Sequence, residues 1–203
     1  MNKAGRIIQV CIGTMLMGLG IQVIVTAGQG MDSVSTLISG LMQHTSIPFG
    51  RWSQIISLIF LAVSFLYNRK MLGIGSVINT LLVGETIRWV QPFIDSVEGL
   101  HDQLMVSFFG FLIMAAGTAL YLAADLGSGP LEGMMFCVCS LLKVSLQRGR
   151  VLLDFLIVLV GLLLGSFVGW GTLFAIFLLG PTIQLFLNLG TKVSLRMKAD
   201  ELS

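Results

Sequence analysis

The sequence predicts an all-α, polytopic membrane protein built from two homologous halves, each with three spans and one short half-helix. Three observations carry that prediction. First, 55% of the 203 residues are apolar and 11% are charged, with a mean hydropathy of +0.93. Soluble domains carry about a quarter charged residues. Second, the apolar residues fall into runs of bilayer length, with room for about six spans of ~20 residues. Third, the break Gly28-Gln29-Gly30-Met31-Asp32 returns 99 positions later as Gly127-Ser128-Gly129-Pro130-Leu131-Glu132. Glycine weakens a helix and an acid beside hydrocarbon is costly, so a break of this kind used twice is poor membrane filler.

Taken in order, span one covers residues 7–27, with Gly13, Gly18 and Gly20 as packing positions for a neighbouring helix. Lys3 and Arg6 ahead of it give the look of a signal peptide, but the run exceeds a typical signal core, and it is read as an uncleaved span. After the 28–32 break, Ser33–Met42 forms a short helix of about 15 Å, half the hydrocarbon thickness. Polar residues 43–46 and Pro48 end it. Span two runs from Trp52 to Tyr67, and span three from Gly73 to about Phe93, carrying Asn79, Glu85 and Arg88. The polar linker 95–103 divides the halves, and span four covers Leu104–Ala124. A second short helix follows the second break, from about Leu131 to Leu142. Span five runs from Val151 to Val168 with Asp154 inside it, span six from Gly171 to Leu189, and a basic tail fills 190–203. Residues 1–203 thus form a single membrane domain, with repeat 1 at about 6–93 and repeat 2 at about 104–189.

The repeat extends beyond the breaks. An offset of 99 also pairs Met15 with Met114, Gly18 with Gly117, and Gly50-Arg51 with Gly149-Arg150. An offset of 96 pairs Gly73-Ile74-Gly75-Ser76 with Gly169-Trp170-Gly171-Thr172, and Gly84 with Gly180. If each short helix only dips into the bilayer, every half crosses three times and the halves are inverted. If each spans, there are eight crossings and parallel halves. Either way ten cations lie inside and two outside, so the positive-inside rule does not choose between them. Runs of 10–12 residues fall short of a span, which favours six crossings, inverted repeats and both termini in the cytoplasm.

These residues carry a resemblance. Arg6, Gly18, Gly28-Gln29-Gly30, Gly50-Arg51, Gly75-Ser76 and Gly84 resemble the pattern of the YczE/YitT group of bacterial membrane proteins. So do Gly127-Ser128-Gly129-Pro130, Gly149-Arg150, Gly171-Thr172 and Gly180-Pro181. The group's Gly-x-Gly-Pro is intact in the second copy, while the first has Met31 where proline is expected. The resemblance implies a protein of the bacterial inner membrane, either a transporter or a membrane accessory factor.

The candidate binding residues are Gly28, Gly30, Asp32, Glu85, Arg88, Gly127, Gly129 and Glu132. A Gly-x-Gly at a helix start frees backbone N–H groups where the helix dipole is positive. Two such starts related by an in-plane axis would meet at the midplane, as in several inverted-repeat transporters. The plainer reading is a tight turn, with Asp32, Ser33 and Glu132 capping the first helical turn. Glu85 and Arg88 share one helix face and suit either a substrate contact or a structural ion pair. Asp154, four residues after Arg150, reads as a salt bridge at the membrane surface, and Asn79 as an interhelical hydrogen bond. His44 and His101 lie apart in polar linkers, and Cys11, Cys137 and Cys139 read as buried small hydrophobes, so no metal site, disulfide framework or cofactor is expected.

A nucleophile–base pair is missing and the net charge of +2 is small, so neither an enzyme nor a nucleic-acid partner is expected. The basic tail is ordinary juxtamembrane charge. The first functional reading is a small secondary transporter or permease for a polar or zwitterionic metabolite, embedded in the lipid bilayer, with homo-oligomers left open. The others are a non-transporting accessory protein and the six-span substrate-binding subunit of a vitamin importer, against which the repeat argues.

Overall fold

The computed structural model describes residues 2–200, with side chains described through Gly190. The predicted tail cations Lys192, Arg196 and Lys198 therefore have side chains outside the described residues. Nine α-helices are described: α1 (Lys3–Ala27), α2 (Ser33–Met42), α3 (Phe49–Tyr67), α4 (Ile74–Val90), α5 (Leu100–Ala123), α6 (Pro130–Leu142), α7 (Leu146–Leu163), α8 (Trp170–Phe174) and α9 (Gly180–Asp200). A π-helical turn, Ala175–Leu179, joins α8 to α9. Among the described residues no strand occurs, so the all-α expectation stands.

Local chemistry sets the ends. Asn2 caps α1 by accepting from the Gly5 amide at 2.9 Å, and Gly28 closes it in the left-handed region with φ +68°. Four helices are long and apolar enough to cross a membrane: Lys3–Ala27, Phe49–Tyr67, Leu100–Ala123 and the composite Trp170–Gly190. At 17 residues α4 rises about 26 Å, and the 18-residue α7 carries Arg148, Arg150 and Asp154.

Span five needs a correction, since α7 runs from Leu146 to Leu163 rather than from 151 to 168. Its two arginines sit inside the helix instead of before it, and Gly165 with φ +89° stops it early. Span six is likewise broken by the π-helical turn. The short helices lie where the sequence placed them, α2 without change and α6 one residue early because Pro130 takes the first helical position.

The centre of the bundle is the antiparallel pair α1/α5. A Cβ on Gly13 would lie 2.6 Å from the Tyr121 nitrogen, one on Gly20 would lie 2.5 Å from the Met114 nitrogen, and one on Gly117 would lie 2.5 Å from the Met17 nitrogen. Backbones this close leave no room for a side chain, which is how small residues bring membrane helices together. Against this pair, α1 packs on α4 and α5 on α9, while α2 packs on α7 and α6 on α3. Ile21, Ile24, Ile38, Val83, Ile87 and Met114 belong to the main core. Leu66, Phe93 and Leu163 are about four-fifths exposed on the outside, as an apolar solvent would permit.

Each break docks on a helix start distant in the sequence. Gly171 N–H donates to the Gln29 carbonyl at 2.7 Å, and Met31 N–H to the Thr172 hydroxyl at 3.1 Å. On the other side Gly75 N–H donates to the Leu126 carbonyl at 2.9 Å, and the Ser76 hydroxyl to the Ser128 carbonyl at 2.6 Å. Gly30 (φ +99°) and Gly127 (φ +115°) make these contacts feasible, because a Cβ on Gly30 would sit 2.8 Å from the Gly169 and Thr172 nitrogens.

Candidate functional site at the heads of the short helices

The starts of α2 and α6 meet inside the bundle. At the head of α2, Asp32 is 5% exposed and caps the helix, accepting from the Ser35 amide at 3.3 Å and from the Ser35 hydroxyl. The next residue, Ser33, donates from its hydroxyl to Asp154 Oδ1 at 2.5 Å. At the head of α6, no side chain caps the N-terminus and Glu132 lies in the first turn. Arg150, from α7, closes the network. Its Nε donates to Asp154 Oδ2 at 2.7 Å, and its Nη1 lies 3.9 Å from Glu132 Oε1. Asp154 is 3% exposed, so its pair with Arg150 lies in the interior of the bundle.

Asp32 and Glu132 both line a cavity of about 50 Å³ between α1, α3, α4 and α5. Its other polar walls are Ser35, Ser53, Ser57 and Asn79, and Met17, Ile21, Val83 and Met114 contribute apolar surface. The volume is less than the share of two liquid waters, whereas sites for drug-sized ligands start at about 300 Å³.

Of the predicted site residues, the fold brings Asp32 and Glu132 together. Gly28, Gly30, Gly127 and Gly129 surround them as backbone: Gly28 ends α1, Gly129 precedes α6 with an ordinary φ of −65°, and Gly30 and Gly127 lie against the other half. Two break amides are already spent, that of Met31 on the Thr172 hydroxyl and that of Ser128 on the Met71 carbonyl. Glu85 and Arg88 lie elsewhere, and neither lines the cavity. Glu85 accepts from Arg88 at 2.8 Å, from Gln54 at 3.1 Å and from Arg51 at 3.3 Å, in a half-exposed cluster joining α3 and α4.

The sequence reading missed Arg150 as a member of the site and undervalued Asp154. An arginine and an aspartate four apart in a span face one side of one helix, and that signal was available. Ser53 gave no signal. Among the described residues no group of three or more His, Cys, Asp or Glu is placed to hold a metal ion.

Similarity to known proteins gives the class. An uncharacterized protein of Haemophilus influenzae is 30% identical over 176 residues, covering 86% of this chain and 79% of its own length. The uncharacterized protein YyaS of Bacillus subtilis is 25% identical, with 87% and 89% covered. The uncharacterized membrane protein YczE of Bacillus subtilis is 22% identical, with 86% and 82% covered, in keeping with the resemblance read from the motifs. No solved structure matches. With several helices of membrane-spanning length, a membrane protein among its relatives and residues 4–188 matched throughout, the chain belongs to the "Family of unknown function (DUF6198)".

Proposed function

We propose that this protein is a small secondary transporter or permease of the bacterial inner membrane, moving a small polar or zwitterionic metabolite through a site between two inverted halves. The observation that carries the reading is the meeting of two half-length helices, one from each half, at a buried charge network beside a small cavity that Asp32 and Glu132 both line. Broken helices whose ends meet at mid-membrane are the usual substrate site of inverted-repeat transporters.

The inversion has its own support. The 99-residue offset equates α1 with α5, and those helices pack antiparallel. A two-fold axis relating antiparallel helices runs perpendicular to them, which in a bilayer is the membrane plane. The contacts also obey the exchange: α2 on α7 answers α6 on α3, and α1 on α4 answers α5 on α9.

Six crossings are favoured over eight. Arg6 lies 3.7 Å from Asp125, and the Ser128 amide donates to the Met71 carbonyl at 3.0 Å. Lys3, Arg6, Arg69 and Lys70 thereby share one face, which the positive-inside rule makes cytoplasmic.

The halves differ in state as well as in sequence. Gly50 and Gly84 bring α3 and α4 into backbone contact, with a Cβ on Gly50 only 2.5 Å from the Gly84 oxygen. Gly180, the counterpart of Gly84, has nothing within 4 Å. A groove of about 780 Å³ separates α7 from α8 and the π-helical turn instead. One pair closed and its counterpart open is what alternating access by exchange of the two half-conformations requires.

The test is reconstitution. Purified protein in liposomes, offered a pool of polar metabolites and analysed by mass spectrometry of the lumen, is expected to accumulate one chemical class, and Glu132→Gln to abolish it. Folded protein that accumulates nothing above empty liposomes would turn the choice to the accessory reading. Reporter fusions at Asn68 and Glu98 test the topology, since Asn68 outside with Glu98 inside would remove the inverted halves.

A further inference from the structure

The charges at the heads of the short helices do not balance. Asp154 and Arg150 form a close pair and cancel. Asp32 and Glu132 remain, two carboxyl groups against the loose 3.9 Å contact from an arginine already engaged. Each stands at the start of a helix, whose dipole places roughly half a positive charge there. The two dipoles together supply about one charge, so with both carboxyls ionised about one negative charge is left over. No charged side chain from α1, α3, α4 or α5 lines the cavity to offset it. An uncompensated charge in this setting costs several kcal/mol in general terms, so a unit of positive charge is called for.

The cavity walls indicate the form it takes. Ser53 is 6% exposed and lines the cavity, and its hydroxyl has no hydrogen-bond partner among the described residues. Asn79, 3% exposed, uses its amide nitrogen toward the Thr14 hydroxyl at 3.4 Å and Met17 Sδ at 3.8 Å, which leaves its carbonyl oxygen unengaged among the described residues. A proton would sit on one carboxylate and needs neither a cavity nor neutral oxygen donors. Hard oxygen donors of this kind suit hard cations and not softer transition metals. A divalent ion would overshoot the charge, and the described acids do not form the cluster it needs.

We infer that the cavity between Asp32, Glu132, Ser53 and Asn79 binds one dehydrated alkali-metal cation of sodium or potassium size. This rests on the transport reading for its role as a coupling ion, but not for its existence. The volume of about 50 Å³ holds such an ion and is too small for a metabolite.

The experiment uses the full chain in detergent, in choline chloride buffer without alkali metal. Binding of ²²Na⁺ is measured by scintillation proximity, with unlabelled Na⁺, K⁺ or choline as competitor. Saturable binding near one ion per chain is expected, displaced by Na⁺ or K⁺ but not by choline. Ser53→Ala, which removes one oxygen from a small side chain, is expected to weaken it at least tenfold, and Asp32→Asn to abolish it. Glu85→Gln, outside the cavity, should leave it unchanged. Because Asp32→Asn also touches a helix cap, the melting temperature of the unaltered protein is followed in parallel. It should rise with Na⁺ or K⁺ and saturate, as for any ligand that binds only the folded state. Equal stabilisation by choline chloride, or binding that Ser53→Ala leaves intact, would overturn the proposal. So would titration of protons alone. Cation binding without metabolite uptake would sink the transport reading and leave the site standing; uptake with no alkali dependence and no binding would do the reverse.

Discussion

Replacing Arg150 by Met removes the one guanidinium from among three carboxylates. The magnitude follows from the geometry. Arg150 keeps about a fifth of its side chain exposed and Asp154 about a twentieth, and their atoms lie 2.7 Å apart. At an effective dielectric near 20, unit charges ~4 Å apart attract by about 4 kcal/mol. Removing one member of a buried pair costs about 3–5 kcal/mol, because the other is left charged without a partner. For a chain of this length each kcal/mol lowers the melting temperature by about 2–4 °C, so a drop of about 6–20 °C is expected. The second arm is the double change Arg150→Met with Asp154→Leu. Well-packed apolar residues often replace a buried ion pair at little net cost, and the double variant should recover more than half of the loss. Thermal unfolding in detergent, followed by tryptophan fluorescence and by gel-filtration recovery, measures both. A shift of less than about 2 °C for the single variant, or a double variant no more stable than the single, would refute a buried network centred on Arg150.

Other outcomes follow from the packing. Gly20→Leu drives a side chain into the Met114 backbone and should cost about 1–3 kcal/mol or more in thermal unfolding, whereas Gly180→Ala meets nothing within 4 Å and should stabilise by up to about 1 kcal/mol through helix propensity. Glu85→Gln alters a half-exposed cluster, so its melting temperature should stay within error of the parent. Gly28→Ala and Gly30→Ala both place a Cβ at positive φ, but only the second meets backbone, at 2.8 Å; Gly30→Ala should show much the larger loss on thermal unfolding, and equal losses would argue against the docked break. Cysteines at Val151 and Phe177, on opposite walls of the groove beside α7, should be joined by a short bifunctional reagent in liposomes if that groove closes, and never joined if it is fixed.

Much of the fold was legible because its strongest signals are local. The end of α1 at Gly28, the ten residues of α2 and the start of α6 near Pro130 depend on glycine, proline and capping chemistry written at the site itself. The bounds of α7 were not, because an apolar run marks where a chain can enter hydrocarbon and not where hydrogen bonding begins. Leu146–Arg150 is helical although two of its five residues are cationic. The site was half legible for the same reason. Asp32 and Glu132 stood out beside their glycines, but whether Arg150 turns toward water or inward depends on what the neighbouring helices offer. Glu132 reaches it from the head of another helix, and Ser33 meets its partner Asp154 only through packing that joins residues 121 positions apart. Glu85 and Arg88 were drawn into the site by their charge, and tertiary placement took them out of it.

The two Gly-Arg dipeptides stand 99 positions apart in the sequence. At the 99-residue offset Arg51 falls opposite Arg150, and both follow a glycine in the first turns of a long helix. Their side chains end in different places. Arg150 is held inward by Asp154, one turn on, and by Glu132 at the head of α6. The positions opposite those acids in the first half are Ile55 and Ser33, neither of which carries charge. Arg51 therefore has no inward acid to meet and turns instead to Glu85 and Gln54 at the α3/α4 boundary. Position 181, opposite Glu85, is proline, so the second half cannot build that outer cluster, and Arg150 has no comparable acid to draw it out. Each arginine thus has its own acids, and the charge of Arg51 goes to the protein's exterior while that of Arg150 goes to its centre. The cavity carries the two acids Asp32 and Glu132 on the side of α2 and α6 and apolar side chains on the side of α1 and α5.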